Sequence, residues 1–367
     1  INVLGAGIGT SRILPNAYKL SDYGGGTDVP IVQNFLLVSD ISRFVFAFGT
    51  NEYAGSTQDP MMIRWSDQDD AANWTPSSTN QAGFLRLSRG SELVTALQTQ
   101  QAVMVFTDTS LYSMQYVGAP IVWSAQIIAS DISIVSQNAV VYVNNIVYWM
   151  GKDKFYKYDG RVQTLRCDLR QYIFSNINTA QYEQVFSGTN EGFNEVWWFY
   201  PAGASNENNL YVAFNYVDNT WFIGQLERTA WWDMSFNGYP IATSDGTTWT
   251  QEYGTNAGTS ALEPYIEGSD LQIGDGEQFS FITRIIPDIT FTGENQTPLA
   301  NYLILRRNFP GQDFTTGYTS SVSNDTEQKF VRVRGRQFAL RVESSEPNQA
   351  WRLGVTRFDM QPDGRKT

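Results

Sequence analysis

The 367-residue sequence contains no histidine. Histidine is the commonest general base and metal ligand near neutral pH. Its absence excludes Ser-His-Asp and Cys-His catalysis and every zinc site that needs imidazole. A single cysteine, Cys167, excludes an intrachain disulfide and a thiolate metal cluster. No apolar run reaches the roughly 18 residues of a membrane-spanning helix. Positive charge is also scarce, with 25 Lys and Arg against 37 Asp and Glu, a formal charge of -12. A protein that grips nucleic acid clusters cations against phosphate. This balance fits an acidic surface, which could also enclose a duplex without holding it. The chain opens at Ile1 with neither Met nor a signal peptide, so residues are expected before it. Only carboxylate, Lys, Tyr or divalent-ion chemistry remains, and we expect a binding or structural role with no catalytic or cofactor residues.

What is present is aromatic. Phe, Trp and Tyr make up 14% of the chain and hydrophobic residues 42%, enough for a sizeable core built on pleated surfaces. An apolar strand, a tight polar turn and a second strand recur five times. The pairs are Phe44–Phe48 with Met61–Trp65, Val103–Phe106 with Leu111–Tyr116, and Ile146–Met150 with Phe155–Tyr158. Val196–Tyr200 with Leu210–Tyr216, and Tyr239–Ala242 with Thr247–Tyr253, complete the set. Starts at 44, 103, 146, 196 and 239 are 59, 43, 50 and 43 residues apart. Four-stranded propeller blades repeat at roughly 40 to 50 residues, whereas sandwich strands recur at about 8 to 12 without a longer period. The spacing favours an all-β fold with a β-propeller; a sandwich built from meanders is the alternative. Residues 165–186 predict one or two short helical turns between blades. Gly5–Gly9 and Gly24–Gly26 predict an irregular, extended arm, and Gly5-Ala6-Gly7-Ile8-Gly9 lacks the spacing of a dinucleotide loop.

Composition shifts near residue 262. Beyond it we expect longer strands over 278–291, 299–307, 329–342 and 351–360, forming an antiparallel platform or sandwich. The expected organisation is an arm at 1–40 that could join the platform, a propeller at 41–262 and the platform at 263–367.

Few constellations suggest chemistry. Asp67, Asp69 and Asp70 are compatible with a calcium loop but lack the spacing and terminal Glu of an EF-hand, and a solvated turn between Trp65 and Trp74 is the favoured reading. Ser244-Asp245-Gly246-Thr247-Thr248-Trp249 is similar to the structural Asp-box turn of sialidase-type propellers, short by a spacer residue on either side of the Asp. The pairs Trp197-Trp198 and Trp231-Trp232 send one ring to each face of a strand, so one of each must pack outside its own blade face. Arg332, Arg334 and Arg336 alternate along one predicted strand and share a face, with Arg341 and Arg352 near them. In an acidic chain this row is a candidate intersubunit interface. A solvated face is the other reading, and phosphate contact comes behind both.

Several strings resemble a known family. Arg64-Trp65-Ser66-Asp67 with Asn73-Trp74-Thr75-Pro76, Val105-Phe106-Thr107-Asp108 with Ser110-Leu111-Tyr112, and Trp149-Met150-Gly151 with Tyr158-Asp159-Gly160 are similar to segments of tail proteins of short-tailed bacteriophages. So are Ile273-Gly274-Asp275-Gly276-Glu277 and Arg334-Gly335-Arg336-Gln337. The most specific string is Phe193-Asn194-Glu195-Val196-Trp197-Trp198-Phe199-Tyr200-Pro201. The resemblance, to packaged-DNA stabilisation, tail hub and tail nozzle proteins, covers roughly residues 40–365. It implies a virion tail location and a homohexameric ring below the head-tail adaptor ring of the portal. Such a ring would carry tail fibres or spikes outside and pass double-stranded DNA through its lumen without specific binding. It brings no catalytic residues. A glycan-binding or glycan-cleaving propeller at the host surface is the alternative.

Overall fold

A computed structural model describes residues 2–5, 16–22, 26–274 and 276–364. Most of the glycine-rich arm and Asp275 of the Ile273–Gly276 turn lie outside these residues. The chain divides into two compact units, Ile1–Gln251 and Glu252–Thr367, a little before the composition shift near residue 262.

The first unit contains five consecutive antiparallel meanders. Their strands are Phe35–Ser39, Phe44–Phe48, Met62–Trp65 and Gly83–Arg86; then Leu93–Gln98, Val103–Thr107, Ser110–Gly118 and Val122–Ser130. The third sheet joins Val140–Val143, Ile146–Met150, Phe155–Tyr158 and Val162–Leu165, and the fourth joins Phe186–Asn190, Glu195–Tyr200, Leu210–Asn215 and Thr220–Gln225. The fifth has three strands, Ala230–Trp232, Ile241–Ser244 and Thr247–Thr250. In every sheet spatial order follows chain order, and the first strands of successive sheets lie side by side. This is the blade arrangement of a β-propeller.

The turns follow from local chemistry. Asp245 (φ 48°) and Gly246 (φ 71°) both occupy the left-handed region, as do Asn144 (φ 50°) and Asn145 (φ 61°). Two such residues in succession form the hairpin turn whose twist matches the flanking strands. The expected helical connection is the short helix Arg170–Asn176 followed by the 3-10 segment Thr179–Gln184.

Aromatic pairs fill each joint between neighbouring blades. Trp123 of the second sheet stands edge-on to Phe44 and Phe46 of the first, at 5.6 and 4.9 Å. Phe106 meets Trp149 at 5.2 Å across the next joint, and Phe155 meets Trp198 and Trp221 at 5.0 and 4.7 Å across the third. At the last joint Trp231 stacks on Trp197 at 5.6 Å. Alternation therefore sends Trp198 to the third blade and Trp197 to the fifth, so both faces of this strand are buried. Trp231 is packed likewise, whereas Trp232 is 60% exposed.

The amino-terminal stretch is only partly irregular. Asn2–Gly5 pairs with Asn16–Lys19 as a two-stranded ladder, which the glycine count had hidden. Leu20 and Trp74 are buried against Ala47 of the first blade, with Val29, Val45 and Ala72 packed beside them. Thr27 exchanges backbone hydrogen bonds with Ala72 and Trp74. The nearly buried Arg64 donates from Nη2 to the Asp28 carbonyl at 2.5 Å.

The second unit is a sandwich. Tyr265–Glu267, Gln337–Glu343, Ala300–Arg307 and Thr315–Val322 form one sheet in that order; Lys329–Gly335, Ser280–Ile286 and Arg357–Pro362 form the other. Ile282, Ile285, Tyr302, Ile304, Val331, Val333 and Val342 from both sheets close the core. Ile289–Gly293 and Gln349–Leu353 add a two-stranded ladder. The single strand expected over 329–342 is two strands in different sheets. The chain crosses over at Gly335–Arg336, where the Arg336 N–H donates to the Arg307 carbonyl at 3.1 Å.

Candidate interaction surface

The arginine row lies on the outward face of the three-stranded sheet. Val331, Val333 and Gly335 point inward and are buried, so Phe330, Arg332 and Arg334 point outward. Arg336 stands one residue past the strand, at the crossover, yet it serves the same spot. Its guanidinium lies 5.0 Å from the Phe279 ring centroid and that of Arg334 lies 4.2 Å away, so the two cations share one aromatic. Arg334 also forms an ion pair through Nε with Asp363 and donates from Nη2 to the Asp363 carbonyl at 3.2 Å. Strand-like pairing of Phe279 with Asp363 and Gly364 brings that carboxylate into place. The Arg336 Nε–H is buried and finds no acceptor among the described residues.

Arg332 is exposed and makes no ion pair among the described residues. Neighbouring strands extend the face. Arg284 pairs with Asp359 at 2.7 Å, Arg357 is exposed, and Phe330 is 73% exposed. The sequence missed Phe330, although it keeps period two with Arg332 and Arg334. It gave no signal for Asp363, which the fold brings from 29 residues away. Arg341 and Arg352 do not join the row, because they belong to other ladders. Arg341 lies between Glu343 (2.8 Å) and Glu267 (3.3 Å) in the four-stranded sheet, and the hydrogen bond to Glu343 leads in raising its pKa. Arg352 pairs across from Thr290 in the two-stranded ladder.

The acidic loop is locally occupied. Asp67 Oδ1 accepts the Gln68 and Gln81 backbone N–H groups at 2.9 and 2.8 Å, Asp69 pairs with Arg43 at 3.0 Å, and Asp70 accepts from the Ala72 N–H at 3.0 Å. Among the described residues no three acidic or thiol groups are placed to hold a metal ion. An open depression of about 360 Å³ lies beside this loop, lined by Trp65, Pro76, Asn80, Phe84 and Pro120 among others. Asn80 spends both ends of its amide on its own loop, accepting from Ser77 N and donating to Thr75 O. Two carboxylates elsewhere in the propeller unit have pKa values shifted below the ordinary range. Burial opposes ionisation of Asp108, but hydrogen bonds from Ser91 and Glu92 outweigh it, and a hydrogen bond from Lys157 leads in lowering Asp159.

Charge divides unevenly between the units. The propeller unit has 13 Lys and Arg against 22 Asp and Glu, a net of -9, and the sandwich has 12 against 15, a net of -3.

No family model and no curated protein matches the chain. Among solved structures it is similar to Hsv2 of Kluyveromyces lactis, with 14% identity and a TM-score of 0.31 over 56% of this chain and 55% of that one. It is also similar to the N-terminal domain of Nup159, with 8% identity and a TM-score of 0.32 over 88% and 92%. The chain thus spans about half of the Hsv2 structure. Likeness this distant leaves the fold resting on strand order and register.

Proposed function

We propose that the protein is a structural component of a short-tailed phage tail, a hub or nozzle that forms part of the DNA exit channel. In this role it retains the packaged genome and conducts it during ejection. The observation that carries the reading is the string Phe193 to Pro201, whose resemblance to tail proteins is the most specific in the chain. Its residues Val196, Trp198, Phe199 and Tyr200 are fully buried between blades, which suits a string that builds a wall. A propeller unit of net charge -9 also suits a lumen that repels a sliding duplex. On this reading the partners are further copies of the chain in a hexameric ring, the head-tail adaptor ring and external fibres or spikes. Electron microscopy of the purified protein mixed with its adaptor tests it. Rings stacked on the adaptor are expected, and a chain that stays monomeric and joins neither rings nor virions refutes it.

A further inference from the structure

The outward face of the three-stranded sheet presents an exposed aromatic among cations. Two of its cations are neutralised at home, Arg334 by Asp363 and Arg284 by Asp359. Arg332 and Arg357 are exposed without ion pairs among the described residues, and Phe330 stands 73% exposed beside Arg332. The Arg334–Phe279–Arg336 stack fixes one edge of the face, so little side-chain freedom is lost there on binding.

We infer that this face docks an acidic protein surface, and that the surface is the propeller unit of a second copy of this chain. The argument is charge complementarity: a locally cationic face belongs to a chain of net -12 whose propeller carries -9. Nucleic acid fits less well. Two free guanidiniums fall short of the six to ten or so phosphate contacts that drive strong backbone binding. A phenyl ring as exposed as Phe330 gains from burial on protein and nothing from phosphate.

The inference rests on the reading of the chain as a self-assembling tail component, and the experiment separates the two. The full chain and the double variant Arg332→Glu, Arg357→Glu are compared by sedimentation at roughly 50 and about 500 mM salt. Both positions are exposed and free of ion pairs, so the variant retains its fold, which circular dichroism checks. Self-association of the unaltered chain that weakens with salt, and a midpoint concentration raised about tenfold or more by the double reversal, support the inference. Phe330→Ser, which adds no charge, weakens association in the same direction. Self-association that the double reversal leaves unchanged overturns it. So does binding of a fluorescein-labelled 20-base-pair duplex that the reversal abolishes while self-association persists. Self-association through this face by a chain that never joins its adaptor fails the tail reading alone. Rings on the adaptor that form equally well from the double variant fail this inference alone.

Discussion

Replacing Trp198 by Ala tests whether aromatic joints hold the blades together. Trp198 is fully buried, its ring 5.0 Å from Phe155 of the third blade and 6.1 Å from Trp221 of its own. Its indole N–H donates to the Ala139 carbonyl at 3.1 Å, at the entrance of the third blade. Truncation removes about 200 Å² of buried surface, near 5 kcal/mol at roughly 25 cal/mol per Å². It also leaves a cavity spanning two blades and removes one of the two donors to the Ala139 carbonyl, which keeps the Met150 N–H at 3.1 Å. A loss of about 4–5 kcal/mol is expected, within the range of buried tryptophan truncations. That is a drop on the order of 10 °C in the melting temperature of the propeller unit. Trp198→Phe keeps a ring but not the donor and should cost about 1–2 kcal/mol. The control is Trp232→Ala. That ring is 60% exposed, and its loss should cost below about 1 kcal/mol. Urea unfolding followed by far-ultraviolet circular dichroism measures all three. Equal losses for Trp198→Ala and Trp232→Ala would refute the claim that stability resides in the joints.

Other outcomes follow from single environments. A Cβ added at Gly188 would sit 2.5 Å from Trp231 Cδ1, so Gly188→Ala should cost about 1–3 kcal/mol in the same unfolding assay. Burial pushes the Cys167 thiol up to about 11, against a hydrogen bond from Leu169 and with the charge of Asp168 adding to the rise. At pH 8 its alkylation by iodoacetamide should run about a hundredfold slower than that of the unfolded chain. Burial likewise leads in raising Tyr148 to about 12. Both groups are neutral when protonated and both are raised on folding. The stability they contribute is therefore complete below about pH 9 and is lost as pH climbs toward 11 and 12, which alkaline unfolding curves measure.

The centres of the first four blades were legible in the sequence because the second strand of each is buried on both faces. Val103–Thr107 is buried at every position, and Glu195–Tyr200 at all but its first. Such runs announce themselves. The flanking strands did not: Gly83–Arg86 and Thr220–Gln225 alternate between half-buried and exposed residues, so little apolar signal marks them. Thr315–Val322 went unnoticed for the same reason, being mostly Thr and Ser at a sheet edge. The division of 329–342 was hidden because both halves read as strands, and only a long-range partner, the Arg307 carbonyl, shows where the chain changes sheet. At the candidate surface, period two placed Arg332 and Arg334 together. Arg336 joined them through a shared phenyl ring that no local pattern specifies.

Three glycines seat aromatic rings. Gly83 lies directly across from Trp65 and Gly224 across from Tyr211 in the sheet register, while Gly188 lies under Trp231 of the adjoining blade. A Cβ at these positions would stand 2.5 to 2.6 Å from the ring above it. Ring and void are thus a single volume divided between two positions, and neither can vary alone without overfilling or emptying it. In related chains each pair should change in concert, a larger residue at the glycine arriving with a smaller one at the aromatic. Sequence comparison that scores positions one at a time is blind to this exchange. Paired substitutions at 65 and 83, 211 and 224, and 188 and 231 would mark common ancestry after single-site identity has faded.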